Sequence, residues 1–277
     1  MNGKTVVITG ATSGIGLAAA ETLARRARVV FVARNAERGR AVLDRLVRVN
    51  PDAAHDWVEA DLSTLAGMKR GAEALAGKAP RIDVLVNNAG AIFERREVTV
   101  DGLEKTFALN HMAYFVVTET LRPTLAPGAR IVSTASAAHG LARLNFEDPQ
   151  SARGYSAFGA YGRSKLCNIL WTRELARRLE GSGVTANCVH PGAVASGFGA
   201  ESKGVMGALL SLGKPFMLTP EQGADTLVFL ADSPKVAGRN GGYWSRRRLI
   251  EPSSAGRDAA AGARLWEISA RLAGLPA

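Results

Sequence analysis

The chain has 277 residues, 47% of them hydrophobic and 22% charged, with a formal net charge of +10. That balance excludes a disordered, collagen-like or low-complexity chain, and two cysteines are too few for a disulfide scaffold. The surplus positive charge asks for an anion (nucleic acid, a membrane surface or a phosphorylated small molecule), and composition does not choose among them.

Strand-like and helix-like segments alternate along the chain. The β-branched run at 5–9 predicts a buried strand, followed by a glycine-rich turn and a helix over 15–26. Residues 28–33 predict a second strand and 37–49 a charged helix. A weaker strand at 57–60 and a helix at 65–76 come next, then a fourth strand at 82–86. A longer helix is expected over 102–121, a fifth strand over 130–134 and a long helix over 155–180. A sixth strand at 184–189 precedes residues 192–219, which read as a lid carrying a short helix at 205–212. Helices over 221–230 and 256–273 flank a last short strand at 242–244. Repeated β-α-β units with apolar strands imply a doubly wound parallel sheet covered on both faces. No Pro/Ser-rich linker divides the chain, so one α/β domain with a lid insertion is expected.

Cys167 and Cys188 sit among apolar neighbours and read as free thiols of a reducing, cytoplasmic setting. The four histidines lack metal-ligand spacing, so no metal is expected. No signal peptide and no run of about 18 uncharged apolar residues is present, so no membrane span is expected.

The first strand ends in Thr9-Gly10-Ala11-Thr12-Ser13-Gly14-Ile15-Gly16. Between a strand and a helix, such glycines let backbone N–H groups approach a pyrophosphate, and the helix adds its positive end. Arg34-Asn35 follows the second strand, where a dinucleotide fold meets the adenosine ribose. An acidic residue there would pair with a 2′-hydroxyl, whereas Arg34 attracts a 2′-phosphate, so NADP(H) is favoured over NAD(H). Asp61-Leu62 follows the third strand, where a carboxylate can accept from the adenine amino group. Asn87-Asn88-Ala89-Gly90 follows the fourth, with asparagines suited to a ribose. All lie at strand C-terminal ends, where ligands bind in such sheets.

Tyr161 and Lys165 stand four apart on one face of the long helix. Free tyrosine has a pKa of about 10, and a nearby ammonium favours the phenolate. Ser136 ends the fifth strand; Ser133 lies nearby but deeper in it. Tyr155 competes with Tyr161 but has glycine, not lysine, four residues on. Together, Thr9-Gly10-x3-Gly14-Ile15-Gly16, Asp61, Asn87-Asn88-Ala89-Gly90, Asn110, Ser136, Tyr161-x3-Lys165 and Pro191-Gly192 resemble the short-chain dehydrogenase/reductase family in its ordinary-length branch. Within it the chain looks most like the retinol dehydrogenase and WW-domain oxidoreductase group, through Arg34-Asn35, His190-Pro191-Gly192, Ser233-Pro234 and Arg264-Leu265-Trp266-Glu267-Ile268-Ser269.

The resemblance implies a seven-stranded Rossmann sheet binding a nicotinamide dinucleotide, with Pro191, Gly192 and Val194 among its contacts. It implies Tyr161 as general acid/base, Lys165 as pKa modifier and ribose anchor, Ser136 as partner of the substrate oxygen, and Asn110 as holder of a water relay to the lysine. The motif after Pro191-Gly192 ends in Ser196, where the family often carries threonine. The implied substrate is a small apolar alcohol or carbonyl compound, in a pocket drawn from Leu141, Leu144, Phe146, Phe158, Val194, Phe198, Val205, Met206, Leu209 and Met217. Two alternatives are an epimerase or dehydratase of the extended branch and a dinucleotide-binding regulator without turnover. Arg246-Arg247-Arg248 has no aromatic-interleaved patch beside it, so nucleic acid is not an expected partner. A homo-oligomer through the two long helices stays open.

Overall fold

A computed structural model of the protein describes residues 1–194 and 217–276. The predicted lid helix at 205–212 and Ser196, Phe198, Val205, Met206 and Leu209 lie outside the described residues. One sheet runs in the order β3-β2-β1-β4-β5-β6-β7-β8. Its strands are β1 (Thr5–Thr9), β2 (Arg28–Ala33), β3 (Asp56–Glu59), β4 (Ile82–Asn87), β5 (Leu125–Thr134), β6 (Thr185–Val189), β7 (Tyr243–Ser245) and β8 (Arg248–Ile250). The first seven pair in parallel, and β8 closes the edge antiparallel to β7. The sheet thus has eight strands, not the seven expected. Arg248–Ile250 is wholly exposed, so no hydrophobic alternation marks β8 in the sequence.

The alternation within β1 and β2 builds two cores. Val7, Val30 and Val32 point into one apolar layer, while Val6, Ile8, Val29 and Phe31 point into the other. Each such side chain, fully buried, contributes roughly 1.5–3 kcal/mol. The helices are α1 (Gly14–Ala24), α2 (Ala36–Val49), α3 (Leu65–Lys78), α4 (Ala113–Leu121), α5 (Ala157–Arg178), α6 (Pro220–Asp232) and α7 (Ala259–Ala273). Leu23, Val42 and Leu227, from α1, α2 and α6, join the second layer; Leu75, Phe115, Trp171 and Trp266, from α3, α4, α5 and α7, join the first.

Two segments depart from expectation. The helix predicted over 102–121 is broken: a short turn at Lys105–Phe107 leads into a π-helical turn at Ala108–Met112, and only then does α4 begin. The strand predicted from 130 begins at Leu125, because Pro127 and Gly128 (φ +75°) look like breakers in sequence yet stay within β5. Strand order reverses between β1 and β4, which opens a crevice at their carboxyl ends.

Candidate active site

That crevice is a cleft of about 1370 Å³. Its floor is the turn from β1 to α1. Gly10 holds φ +71° and Gly14 φ +54°, left-handed conformations that favour glycine. A Cβ on Gly16 would lie 2.1 Å from the Gly10 carbonyl oxygen, so the turn closes only with hydrogen there. Helices α2, α3, α5, α6 and α7 each have a side-chain N-cap, supplied by Asn35, Thr64, Ser156, Thr219 and Asp258. At the start of α1, Ser13 makes no such bond, although its first-turn N–H groups have no helical carbonyl to reach. An uncapped, positively polarised helix end opening on a cleft fits a phosphate.

Arg34 and Arg38, both exposed, line one end of the cleft with Asp61 and Leu62. Asn35 also lines it, but its Oδ1 accepts the Arg38 N–H at 2.9 Å and caps α2. Asp61 has one carboxylate oxygen occupied by the Ser63 N–H and hydroxyl, at 2.9 and 2.8 Å. The two asparagines expected at a ribose are committed internally. Asn87 is fully buried and donates to the Thr118 hydroxyl at 2.9 Å. Asn88 donates to the Gly10 carbonyl at 3.1 Å and accepts from the Thr134 hydroxyl at 3.1 Å, tying β1, β4 and β5 together. Only the backbone of Asn88, Ala89 and Gly90 is left to face a ligand.

Ser136, Tyr161 and Lys165 meet on the opposite wall. Ser136 follows β5 and hydrogen-bonds the Tyr161 side chain. Burial pushes the Tyr161 hydroxyl above its usual range, and the Ser136 bond draws it part of the way back. Lys165, 2% exposed, donates to the Thr134 carbonyl at 3.1 Å and sits 5.6 Å from the Tyr161 ring centre. Loss of water brings its pKa down to about 7. The expected phenolate-favouring effect is thus outweighed by burial: at neutral pH Tyr161 holds its proton. Asn110, on the π-turn, is fully buried behind the cleft. Its amide bonds both backbone groups of Ala91 at 2.9 Å and donates to the Ser164 hydroxyl at 3.0 Å.

The sequence pattern described as short chain dehydrogenase matches residues 4–204. The chain belongs to the short-chain dehydrogenase family. It is 42% identical over 274 residues (98% of this chain, 93% of the relative) to a Streptomyces sp. (strain C5) protein provisionally named daunorubicin C-13 ketoreductase. It is 38% identical over 296 residues (99% and 87%) to retinol dehydrogenase 14 of Mus musculus. A short chain dehydrogenase from Burkholderia cenocepacia J2315 in complex with NADP shares the fold, with a TM-score of 0.71 at 26% identity over 88% of this chain and 96% of that one. The protein is thus an oxidoreductase of a family that binds nicotinamide dinucleotides.

Against this short-chain dehydrogenase frame, Gly10, Ser13, Gly14, Ile15, Gly16, Pro191, Gly192 and Val194 all line the cleft. Val194 and Ile15 pack over the bare backbone of Gly223 on α6, where a Cβ would lie 2.6 and 3.1 Å from them. The expected apolar pocket gathers less well among the described residues. Leu141 is 88% exposed, while Leu144 and Phe146 pack on the core. Ile92, Phe93 and Leu109 line the cleft instead, and the sequence reading missed them, as it missed Arg38. Their signal was position: three follow Gly90 and Arg34 by two to four residues, and Leu109 precedes Asn110. Ser133 is buried in β5 and does not reach the cleft.

Among the described residues no helix is long and apolar enough to cross a membrane.

Proposed function

We propose that the chain, as one dinucleotide-binding domain, is an NADP(H)-dependent reductase of small apolar carbonyl compounds, running in reverse on the corresponding alcohols. The observation that carries this is one cleft with an uncapped helix end at its floor, two exposed arginines at one end and Ser136, Tyr161 and Lys165 at the other. The residues present fit the dinucleotide. Gly10 to Gly16 would take its diphosphate, Arg34 and Arg38 a 2′-phosphate, Asp61 and Leu62 the adenine, and Lys165 with the Ala89-Gly90 backbone the second ribose. Pro191, Gly192 and Val194 would flank the nicotinamide. Bound there, it would supply or accept hydride.

Ser136 donates a hydrogen bond to the substrate oxygen and orients it. Tyr161, holding its proton at neutral pH, donates it to that oxygen as charge develops. The raised pKa keeps the phenol protonated near pH 7, the form that reduction requires, while NADPH supply sets the direction. Lys165, drawn to about 7, is poised to take either charge state as the proton moves. Asn110 holds Ala91 and, through Ser164, the backbone of α5 at Tyr161.

The test is an NADPH-oxidation screen over apolar aldehydes, ketones and quinones, with NADH as control. Tyr161→Phe is expected to lower kcat by about 10²–10⁴-fold while keeping nucleotide binding. Near-normal turnover in that variant, or a preference for NADH, overturns the reading.

A further inference from the structure

Beneath the cleft, a line of buried polar groups runs from the C-terminal helix to Lys165, and the proposed chemistry uses none of it. Ser269 on α7 is fully buried, and its hydroxyl lies 2.8 Å from His111 Nε2. His111 belongs to the same π-turn as Asn110 and is fully buried too. On the ring's other side stands the Asn168 side-chain amide, again fully buried, on α5. His111 Nδ1 and Asn168 Oδ1 are each buried without a close partner of their own. The Ser269 hydroxyl donates to the Leu265 carbonyl at 2.8 Å, so the neutral ring carries its proton on Nε2 and donates it to Ser269 Oγ. Burial keeps the ring neutral, with its pKa brought down to about 3.

The other end of Asn168 reaches the catalytic side. Its Nδ2 donates to the Thr134 carbonyl at 3.2 Å, and the Lys165 ammonium donates to the same oxygen at 3.1 Å. A carbonyl oxygen has two lone pairs. With one taken by a rigid amide one helical turn further on, the other is left in a single direction for a flexible lysine. We propose that Asn168 is a positioning residue for Lys165: its amide takes one lone pair of the Thr134 carbonyl and so fixes where the lysine's ammonium sits. The inference rests on the role given to Lys165 under the proposed function. The titratable groups facing the ammonium are Tyr161 from its own helix and Tyr114 from α4, whose ring centre lies 5.7 Å away.

The test compares Lys165→Met, Asn168→Leu and the double variant, using the carbonyl acceptor turned over fastest in the screen. Asn168→Leu keeps size but removes the amide. It is expected to lower kcat about tenfold with little change in KM. The alkaline midpoint of its kcat profile should fall by roughly half a pH unit or more, since an apolar neighbour disfavours the ammonium. A ¹³C-lysine NMR titration of the nucleotide-free protein should show the same fall for Lys165. In the Lys165→Met background, Asn168→Leu should cost nothing further. Near-normal turnover in Lys165→Met overturns the catalytic reading, and this inference with it. If Lys165→Met is inactive but Asn168→Leu leaves kcat and both midpoints unchanged, the positioning role alone is overturned. Should Asn168→Leu fail to fold, Asn168→Ala, which removes the amide without adding bulk, is read the same way: a fall of the midpoint supports the role, and none overturns it.

Discussion

At the scale of single residues, cofactor choice and loop closure can be tested apart. Arg34 and Arg38 are exposed on the cleft, so a 2′-phosphate would gain charge-assisted bonds screened only by water and salt. Arg34→Ala is expected to weaken NADPH binding about tenfold and leave NADH binding within about twofold, measured by nucleotide fluorescence titration. Equal losses for both would remove the 2′-phosphate argument. Gly16 is a question of space rather than charge. A Cβ there meets the Gly10 oxygen at 2.1 Å and the Asn88 amide at 2.5 Å, both fixed by hydrogen bonds. Gly16→Ala should cost about 1–3 kcal/mol of stability and most nucleotide affinity; a variant with native Tm would show that the turn can shift. Residue chemistry was legible wherever a strand ended in a motif. What it did not show is that the Asn35, Asn87 and Asn88 side chains serve a helix cap or buried strand-to-strand stitches, because asparagine after a strand suits those uses too and sequence spacing does not separate them.

At the scale of elements, the apolar strands gave themselves away and the irregular segments did not. The π-turn at Ala108–Met112 adds one residue to a helix whose neighbours are buried on all sides, so no amphipathic period registers the slip. Yet this turn is what sends Asn110 toward Ala91 and His111 toward Ser269. The β7–β8 hairpin hid for another reason. Its turn places Arg246 (φ +48°) and Arg247 (φ +58°) in left-handed conformations, where Asn-Gly is the usual signal. Arg247 is held there: its N–H donates to the Thr226 hydroxyl at 3.0 Å, and its guanidinium pairs with Asp225 on α6. Among the described residues Arg246 has no such anchor, and left-handed strain there costs about 1–2 kcal/mol. Arg246→Asn should therefore raise Tm by about 1–3 °C, read by calorimetry. An unchanged or lower Tm would mean that the arginine makes a stabilising contact.

At the scale of the whole molecule, two features turn on protons and charge. Part of the +10 charge is answered by surface pairs such as Arg26–Asp232 and Arg45–Glu21, each worth at most about 1 kcal/mol. The face of α4 and α5 is covered by α7, with Trp266 edge-on to Phe115 and Arg178 over Trp266, so any pairing of copies through those helices must include α7. The histidines make a sharper prediction. All four have their pKa lowered, chiefly by burial. Three use a ring nitrogen as acceptor: His55 from Val29 N–H, His139 from Ser253 N–H and His190 from Ala137 N–H. Protonation in place would break those bonds. The unfolded chain, with ordinary values of about 6.5, takes up protons first as pH falls. The histidine part of the stability is therefore complete above about pH 7 and is lost as pH drops through 6.5 toward the folded values. His111, at about 3, extends that window lowest and contributes a loss of about 1.4 kcal/mol per pH unit within it. The depressed carboxylates Asp56 and Glu174 act only further down, near and below their ordinary carboxylate range. Glu119, raised by burial, acts in the opposite sense. Urea midpoints at pH 7.5, 6.5 and 5.5 should thus fall steadily, before the depressed carboxylates titrate. Equal midpoints across that range would mean that the buried histidines open to solvent at little cost.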